Sequence, residues 1–259
     1  MRVSLIVSTY NSVNALQKVL AGIRGQTILP DELLIADDGS SEETRICGSH
    51  FQKQFMGDFQ HIWHEDKGFR KTIILNKAIA AANSPYIIFL DGDCVPHPRF
   101  VEDHLTLREE QYWTQGRRAF ISESHVDAFT GQESRFLILW LQRQASGFFK
   151  GVRWPLPWIQ KGTPQRGLIG CNMGVWKKDL IAINGYDEEY QGWGKEDSDL
   201  GNRLYNMGLL RKTVYGRAIV YHLNHPQASR RNLSENEKRL LSVIENGHIV
   251  CRRGLSQYL

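Results

Sequence analysis

The stretch from Ile87 to Asp93 constrains the fold of this chain more than any other. Four apolar residues, Ile87 to Leu90, follow one another without a polar break and lead into Asp91-Gly92-Asp93. An apolar run of this kind is typical of a strand in a parallel sheet that is covered on both faces. The sequence therefore predicts two carboxylates at the carboxyl end of a buried strand, where open α/β sheets bind their ligands.

Asp91 and Asp93 are suited to holding a divalent cation. Side chains two residues apart in an extended segment point the same way, so the two carboxylates are expected to converge. Gly92 lets backbone or ligand approach closely. Mg²⁺ and Mn²⁺ prefer oxygen ligands and often share them with a substrate phosphate. Asp-Gly-Asp is also turn-like in composition, which leaves a plain turn as the alternative.

Strands and helices alternate through the first hundred residues. This alternation predicts a parallel α/β sheet of the nucleotide-binding type, and it fades beyond about Arg99. Strands are predicted at 3–10, 32–36, 60–64, 87–90, 118–126, 167–176 and 213–222. Helices are predicted at 13–24, 42–54, 72–82, 100–111, 135–149, 178–183, 196–207 and 234–250.

Composition narrows the class of protein. A net charge of +4 over 259 residues is too weak to indicate nucleic-acid binding. Four scattered cysteines without a CxxC pair favour a reducing compartment. The apolar run Val3–Val7 is too short for a signal-peptide core, and Phe136–Leu141 is far below the ~20 residues of a spanning helix. We expect a cytoplasmic protein, at most peripheral at the inner face of the cytoplasmic membrane.

Further charged residues follow the predicted strands. Asp37-Asp38 and Asp66 are expected at the same edge as Asp91, because loops at one edge of a parallel sheet come together. Asp37-Asp38 suits hydrogen bonds to a ribose or base, with a turn or helix cap as the alternative. Arg70 and Lys71 can neutralise phosphate oxygens, and surface solubility is their alternative role.

The segment Gly192–Asp199 is the second unusual stretch. Trp193 lies between two glycines, and a flat aromatic ring in a loop suits stacking on a sugar. Glu196 and Asp197 open a predicted helix, whose positive dipole end stabilises an ionised carboxylate, the form that a general base needs. Capping of that helix by Asp197 or Asp199 is the alternative.

A histidine at the end of the last predicted strand completes the candidate metal site. His222 offers an imidazole to an acidic pair that needs a third ligand, and His225 is the rival candidate. The basic C-terminal segment, which includes Lys238 and Arg239, is consistent with a solvated helix face or with contact to a membrane surface.

These motifs together resemble the family 2 glycosyltransferases of the GT-A fold. The similarity covers residues 3 to about 226 and lies in Ser8-Thr9-Tyr10-Asn11, Asp37-Asp38-Gly39-Ser40, Asp91-Gly92-Asp93 and Trp193-Gly194-Lys195-Glu196-Asp197. The segments 64–70 and 192–197 resemble the branch that contains chondroitin-type polymerases and galactosyltransferase-like C-terminal regions.

The resemblance implies a mostly parallel central sheet flanked by helices, a nucleotide-sugar donor, Mn²⁺ or Mg²⁺, and inversion at the anomeric carbon. It also implies a role for each matching residue. Thr9, Tyr10, Asp37, Asp38, Asp66, Arg70 and Asp91 would bind the nucleotide sugar; Asp91, Asp93 and His222 would bind the metal; Asp197 would be the base; Trp193 and Glu196 would bind the acceptor. Lys195 stands where relatives commonly have glycine, which suggests an anionic acceptor.

We therefore expect an inverting glycosyltransferase in bacterial surface polysaccharide or lipopolysaccharide synthesis, with a UDP-sugar donor and a glycan or glycolipid acceptor. One domain is expected, with a nucleotide-sugar half at 1–110, an acceptor half at 111–226 and a helical extension at 227–259. A sugar nucleotidyltransferase and a non-catalytic sugar-binding protein are the alternatives. An NAD-dependent oxidoreductase is disfavoured, because no GxGxxG follows a predicted strand.

Overall fold

The computed structural model describes residues 2–130, 136–163, 168–225 and 229–259. In these ranges the strands are Val3–Thr9 (β1), Glu32–Asp37 (β2), Asp58–Trp63 (β3), Tyr86–Asp91 (β4), Cys94–Pro96 (β5), Tyr112–Gln115 (β6), Arg117–Ile121 (β7), Ala145–Ser146 (β8), Trp158–Gly162 (β9), Asn172–Trp176 (β10), Leu210–Tyr215 (β11) and Ile219–Leu223 (β12). The helices are Val13–Arg24 (α1), Glu42–Gln52 (α2), Lys71–Ala81 (α3), Phe100–Leu107 (α4), Phe136–Leu141 (α5), Phe148–Gly151 (α6), Lys177–Ala182 (α7), Glu196–Asn206 (α8) and Leu233–Asn246 (α9).

A large sheet in the order β3-β2-β1-β4-β10-β6-β11-β9 forms the centre of the molecule. Strands β1 to β4 pair in parallel, as the strand–helix alternation predicts. Strand β10 runs antiparallel to both of its neighbours, β4 and β6, and so joins the regular first part of the sheet to the remaining strands. The large sheet thus takes strands from both of the halves expected from the sequence.

Apolar side chains cover both faces of the large sheet, which explains the continuous apolar runs of its strands. Along β4, alternate residues enter opposite cores: Ile88 and Leu90 pack with α1, whereas Ile87 and Phe89 pack with α3. All four side chains are at most 2% exposed. The prediction that Ile87–Leu90 is a buried central strand is confirmed. Asp91, the last residue of β4, lies at the carboxyl edge of the sheet.

A smaller sheet, β5-β12-β7-β8, lies beside this edge. Strand β5 follows Asp93 directly and pairs antiparallel with β12, which brings Cys94 opposite His222. Strands β5, β6 and β9 were not predicted. The helix predicted at 100–111 ends at Leu107, because Arg108 is extended and Gln111 has a φ of 67°.

Two long elements predicted from the sequence are divided in the structure. The helix predicted at 135–149 is α5 and α6 separated by β8, since Gly147 adopts a φ of 85°; its first residue, Arg135, lies outside the described residues. The strand predicted at 213–222 is β11 and β12, which belong to different sheets, because the chain turns at Gly216 (φ 76°). Of the strand predicted at 167–176, Asn172–Trp176 is observed, and Gly167 lies outside the described residues.

The other predicted ranges differ at their ends. The predicted strand at 118–126 ends at Ile121 and gives way to a short 3₁₀ helix, Glu123–His125. The last helix begins at Leu233 and ends at Asn246, before Gly247 in the left-handed region. Among the described residues, none of the helices is long and apolar enough to cross a membrane.

Candidate active site

The carboxyl edge of the parallel strands gathers the charged residues singled out from the sequence. Asp91 ends β4, and one of its carboxylate oxygens accepts hydrogen bonds from Ser8 Oγ at 2.8 Å and Lys71 Nζ at 2.7 Å. Ser8 belongs to the neighbouring strand β1, and Lys71 opens α3. The ammonium of Lys71 therefore fixes the position of Asp91.

Asp91 and Asp93 contact different partners, contrary to the expectation that they converge. The extended geometry ends at Asp91, because the chain turns through Gly92 and Asp93 before β5. The turn is tight: the Gly92 N–H donates to the Ser8 carbonyl at 2.7 Å, and a Cβ on Gly92 would lie 2.7 Å from that same oxygen. Gly92 thus permits a close backbone approach, as expected.

Asp93 lies with two histidines rather than with Asp91. Its Oδ2 is 2.9 Å from His225 Nε2 and 3.6 Å from His222 Nε2. One donor atom from each residue lies within 4.8 Å of the others. Burial would raise the pKa of Asp93, but the His225 hydrogen bond and the His222 charge lower that pKa to about 2. Burial lowers the pKa of His222, which favours the neutral imidazole that binds metals.

This cluster fits a divalent cation that accepts both oxygen and nitrogen ligands. The structure brings His222 and His225 to the same carboxylate, so both histidines remain candidates. Asp91, which the sequence also assigned to the metal, forms an ion pair with Lys71, and its role as a metal ligand stays a prediction.

Asp197 lies in the first turn of α8 beside Gly170 and Tyr186. Its carboxylate accepts hydrogen bonds from the Gly170 backbone N–H and, at 3.4 Å, from the Tyr186 hydroxyl. Burial and the charge of Asp91 raise the pKa of Asp197, and the charge of Lys71 opposes this rise. Asp197 is therefore a carboxylate of raised basicity beside an ammonium group that favours its ionised form, which suits a general base.

Lys71 connects the two acidic groups. Burial would lower its pKa, but the charges of Asp91, Asp197 and Glu196 keep the pKa of Lys71 well above its ordinary value. The roles predicted for Lys71 from the sequence were phosphate binding or, alternatively, surface solubility. Its pairing with these carboxylates could not be predicted from the sequence, because they are distant from Lys71 in the chain and only the fold brings them together.

Glu196 points in a different direction from Asp197. Its side chain is 6% exposed, and its carboxylate accepts a hydrogen bond from the Gly194 N–H at 3.1 Å. Burial and the charge of Asp197 raise the pKa of Glu196 to about 7. Glu196 thus holds the glycine-flanked loop that presents Trp193.

Trp193 is 41% exposed at the rim of the site, and the Arg230 guanidinium lies 5.4 Å from its ring centroid. The preceding and following glycines have φ of 70° and 108°, a region that favours glycine. Lys195 forms an ion pair with Glu237 of α9 at 3.2 Å. This partner gives Lys195 a role within the fold, beside its predicted role toward an anionic acceptor.

Asp37 and Asp38, predicted to bind the nucleotide, are buried and hydrogen-bonded within the protein. The two oxygens of Asp37 contact the Ser40 N–H at 2.8 Å and His61 Nε2 at 2.9 Å. Those of Asp38 contact His64 Nε2 at 2.7 Å and the Arg70 N–H at 2.8 Å. Both carboxylates anchor the loops that border the predicted donor side, and direct contact with a nucleotide stays a prediction.

Asp66 and Tyr10 form the exposed part of the predicted donor side. The Tyr10 hydroxyl donates to Asp66 at 3.0 Å, and 49% of Tyr10 is exposed. Thr9 Oγ1 is buried and has no partner among the described residues. Arg70, whose guanidinium donates to the Glu65 carbonyl, lines a cavity of about 390 Å³ together with Tyr190 and Gly192.

Asp199 is part of the framework beneath the site. It pairs with Arg203, and both side chains are at most 1% exposed. Arg203 also donates to the carbonyls of Ile183 at 2.7 Å and Gly185 at 2.8 Å. This buried ion pair anchors α8 to the segment that leads to Tyr186. In the sequence, the only indication of the pair is the spacing of four residues between Asp199 and Arg203.

Comparison with known proteins identifies two sequence families along the chain. The model of "Glycosyl transferase family 2" matches residues 4–180, and that of "N-terminal domain of galactosyltransferase" matches residues 159–226. Chondroitin synthase of Escherichia coli is 28% identical over 241 residues, which are 86% of this chain and 35% of that protein. The chain thus spans about a third of the length of this relative.

Solved structures share the fold at lower identity. Staphylococcus aureus TarS 1–349 in complex with UDP-GlcNAc has a TM-score of 0.65 at 15% identity, over 100% of this chain and 69% of that chain. The mannosyltransferase PcManGT of Pyrobaculum calidifontis, in complex with GDP-Man and Mn²⁺, has a TM-score of 0.61 at 16% identity, over 93% of this chain and 61% of that chain. The resemblance drawn from the motifs and the predicted fold class are confirmed. This chain belongs to glycosyl transferase family 2 and has the GT-A fold.

Proposed function

We propose that this chain transfers a sugar from a UDP-sugar to a hydroxyl group of a glycan or glycolipid, with inversion at the anomeric carbon. The observation that carries the proposal is the carboxylate of Asp197, held beside Lys71 at the sheet edge where Asp91 ends β4. The UDP-GlcNAc complex of TarS supports a uridine donor. The similarity to chondroitin synthase supports a polysaccharide product.

The proposed reaction is a single displacement. Asp197 takes the proton of the acceptor hydroxyl as its oxygen forms a bond to the anomeric carbon. The bond from that carbon to the diphosphate oxygen breaks on the opposite side, and the nucleoside diphosphate leaves with the electron pair. Attack from the opposite face inverts the configuration. Trp193, at the rim, positions the acceptor sugar by stacking and so contributes proximity.

The donor binds on the side of Asp66 and Tyr10. The exposed carboxylate of Asp66 accepts hydrogen bonds from the nucleoside, and the Tyr10 ring offers a flat apolar surface beside it. Arg70 and Lys71 supply positive charge toward the diphosphate. Asp38 holds the Arg70 backbone in place through its 2.8 Å hydrogen bond.

Asp93, His222 and His225 would hold a divalent cation, Mn²⁺ or Mg²⁺. When bound, such a cation neutralises charge on the diphosphate leaving group. The PcManGT complex with Mn²⁺ supports this assignment. The Nδ1 atom of His222 is buried without a partner among the described residues, so the ring is held by packing and by Asp93.

A screen of nucleotide sugars tests this function. The protein is incubated with each UDP- and GDP-sugar in the presence of Mn²⁺, and nucleoside diphosphate release is measured. Release of UDP that depends on the cation is expected. In a parallel incubation with UTP or GTP and a sugar 1-phosphate, release of pyrophosphate would indicate a nucleotidyltransferase. No turnover with any donor and a panel of glycan acceptors would indicate a binding protein.

A further inference from the structure

A group of large apolar side chains is exposed on the side of the molecule formed by α5, α6 and the segment that leads into β9. We call this group the aromatic face and define it by Leu137, Trp140, Leu141, Phe149, Leu156 and Trp158. Their exposed fractions range from 40% for Trp140 to 84% for Leu156. Single exposed apolar residues are ordinary, whereas a contiguous group marks an interaction surface.

Ring contacts link the aromatic residues of this face. Trp140 lies 4.8 Å from Phe148, and Phe149 stacks on Trp154 at 6.3 Å between ring centroids. The Trp154 N–H donates to the carbonyl of Gly216, and the neighbouring Tyr215 stacks on Trp158 at 5.4 Å. The exposed rings at the two ends are thus joined through packed rings and backbone.

The segment that forms the aromatic face carries basic residues and no acidic one. Residues 136–162 contain Arg143, Lys150, Arg153 and Lys161. Arg153 pairs with Asp103 at 2.8 Å and Lys161 with Glu109 at 3.9 Å, so Arg143 and Lys150 are the two basic residues of the segment that the proposal uses. Its aromatic rings and long basic side chains form the combination that lies at the boundary between lipid tails and head groups. Anionic lipids attract such basic segments.

The C-terminal segment, which the sequence offered as a membrane contact, fits this role less well. Residues 232–253 contain four basic and three acidic residues and no aromatic one. Three of the four basic side chains are paired with acidic ones: Lys238 with Glu235 at 3.9 Å, Arg239 with Glu189 at 2.6 Å and Arg253 with Glu188 at 3.5 Å. The exposed apolar residues Leu241 and Ile244 of α9 therefore serve as a matched control.

We propose that the aromatic face docks on the surface of an anionic lipid bilayer. Docking there would also bring the candidate metal residues close to the lipid. Ser146 of β8 pairs with Phe120 of β7, and Phe120 pairs with His222 of β12. Two strand spacings, about 10 Å, thus separate β8 from the strand that carries His222.

The test measures co-sedimentation of the protein with sucrose-loaded vesicles and does not depend on activity. Vesicles of phosphatidylcholine alone are compared with vesicles that also contain phosphatidylglycerol. The wild type is expected to bind the second kind. Leu141→Ser with Leu156→Ser should weaken binding by at least about tenfold, because both side chains lose apolar burial. Arg143→Gln with Lys150→Gln should weaken it by roughly 25-fold, about fivefold for each charge.

Leu241→Ser with Ile244→Ser is the control and should bind as the wild type does. Thermal melting checks that each variant is folded. If the Leu141→Ser, Leu156→Ser variant unfolds, the Arg143→Gln, Lys150→Gln variant still tests the proposal, because it changes only surface side chains. The proposal is overturned if the wild type ignores anionic vesicles, or if the α9 variant alone loses binding. A wild-type dimer that becomes monomeric in the leucine variant, without vesicle binding, would assign the face to a second copy of the chain.

Discussion

Replacement of Asp197 by asparagine tests the centre of the proposed mechanism. Asparagine keeps the size of the side chain and an oxygen that accepts the Gly170 N–H. The lost Tyr186 contact, at 3.4 Å, is long for a hydrogen bond. Lys71 keeps its 2.7 Å pair with Asp91, so the variant leaves no buried cation without a partner. The change therefore removes proton acceptance and little else.

The expected loss of turnover is about 10²- to 10⁴-fold, the usual contribution of a general base, or roughly 3–5 kcal/mol of activation free energy. Stability should move the other way. Burial raises the pKa of Asp197 in the folded protein above its pKa in the unfolded chain. At pH values above the folded pKa, the ionised carboxylate therefore lowers the free energy of unfolding. At pH values well below the unfolded pKa, the carboxyl group is protonated in both states and this loss disappears. At mildly alkaline pH the variant should melt at or above the wild-type temperature.

Glu196→Gln is the matched control. The pKa of Glu196 is raised to about 7, so glutamine resembles a form that the wild type already populates near neutral pH. Its amide oxygen can still accept the Gly194 N–H. Transfer rate and nucleoside diphosphate affinity are measured for both variants. If Glu196→Gln is the inactive one, the base is misassigned by one residue; if both lose nucleotide affinity, this turn belongs to the donor side and the mechanism is wrong.

Three further outcomes are expected. Lys71→Met should shift the acid limb of the rate–pH profile to higher pH, because the ammonium lowers the pKa of the general base; an unshifted limb would contradict this. Arg203→Leu should lower the free energy of unfolding in urea by about 3–5 kcal/mol, since it strands buried Asp199; a loss near zero would refute the anchoring role. His222→Ala should raise the metal concentration needed for activity more than His225→Ala, and the reverse order would move the ligand to His225.

The sequence predicted what depends on local pattern. The buried run Ile87–Leu90, the first three strand–helix units and the acidic opening of α8 all have signals within a few residues, and all are present. Strand β5 was missed because three residues are too short for a periodic signal. The antiparallel insertion of β10 was missed because strand direction is decided by partners far away in the chain.

The candidate site divides in the same way. Motifs indicated which residues bear charge, whereas the pairings arise from contacts between distant segments. Asp91 binds Lys71, twenty residues earlier, and Asp93 approaches the end of β12. The turn at Gly92 places the two carboxylates beside these separate partners. The sequence interpretation assumed an extended segment and therefore did not predict this separation.

The contact between Gly170 and Asp197 limits how this enzyme can be altered in the laboratory. A methyl group in place of the Gly170 α-hydrogen would overlap the Asp197 carboxylate, even though position 170 is far from it in the chain. Randomisation at position 170 would therefore return glycine alone among active clones. A library that aims at new acceptors should leave position 170 fixed and vary position 193, where the side chain is exposed, while keeping the two flanking glycines, whose φ values favour glycine.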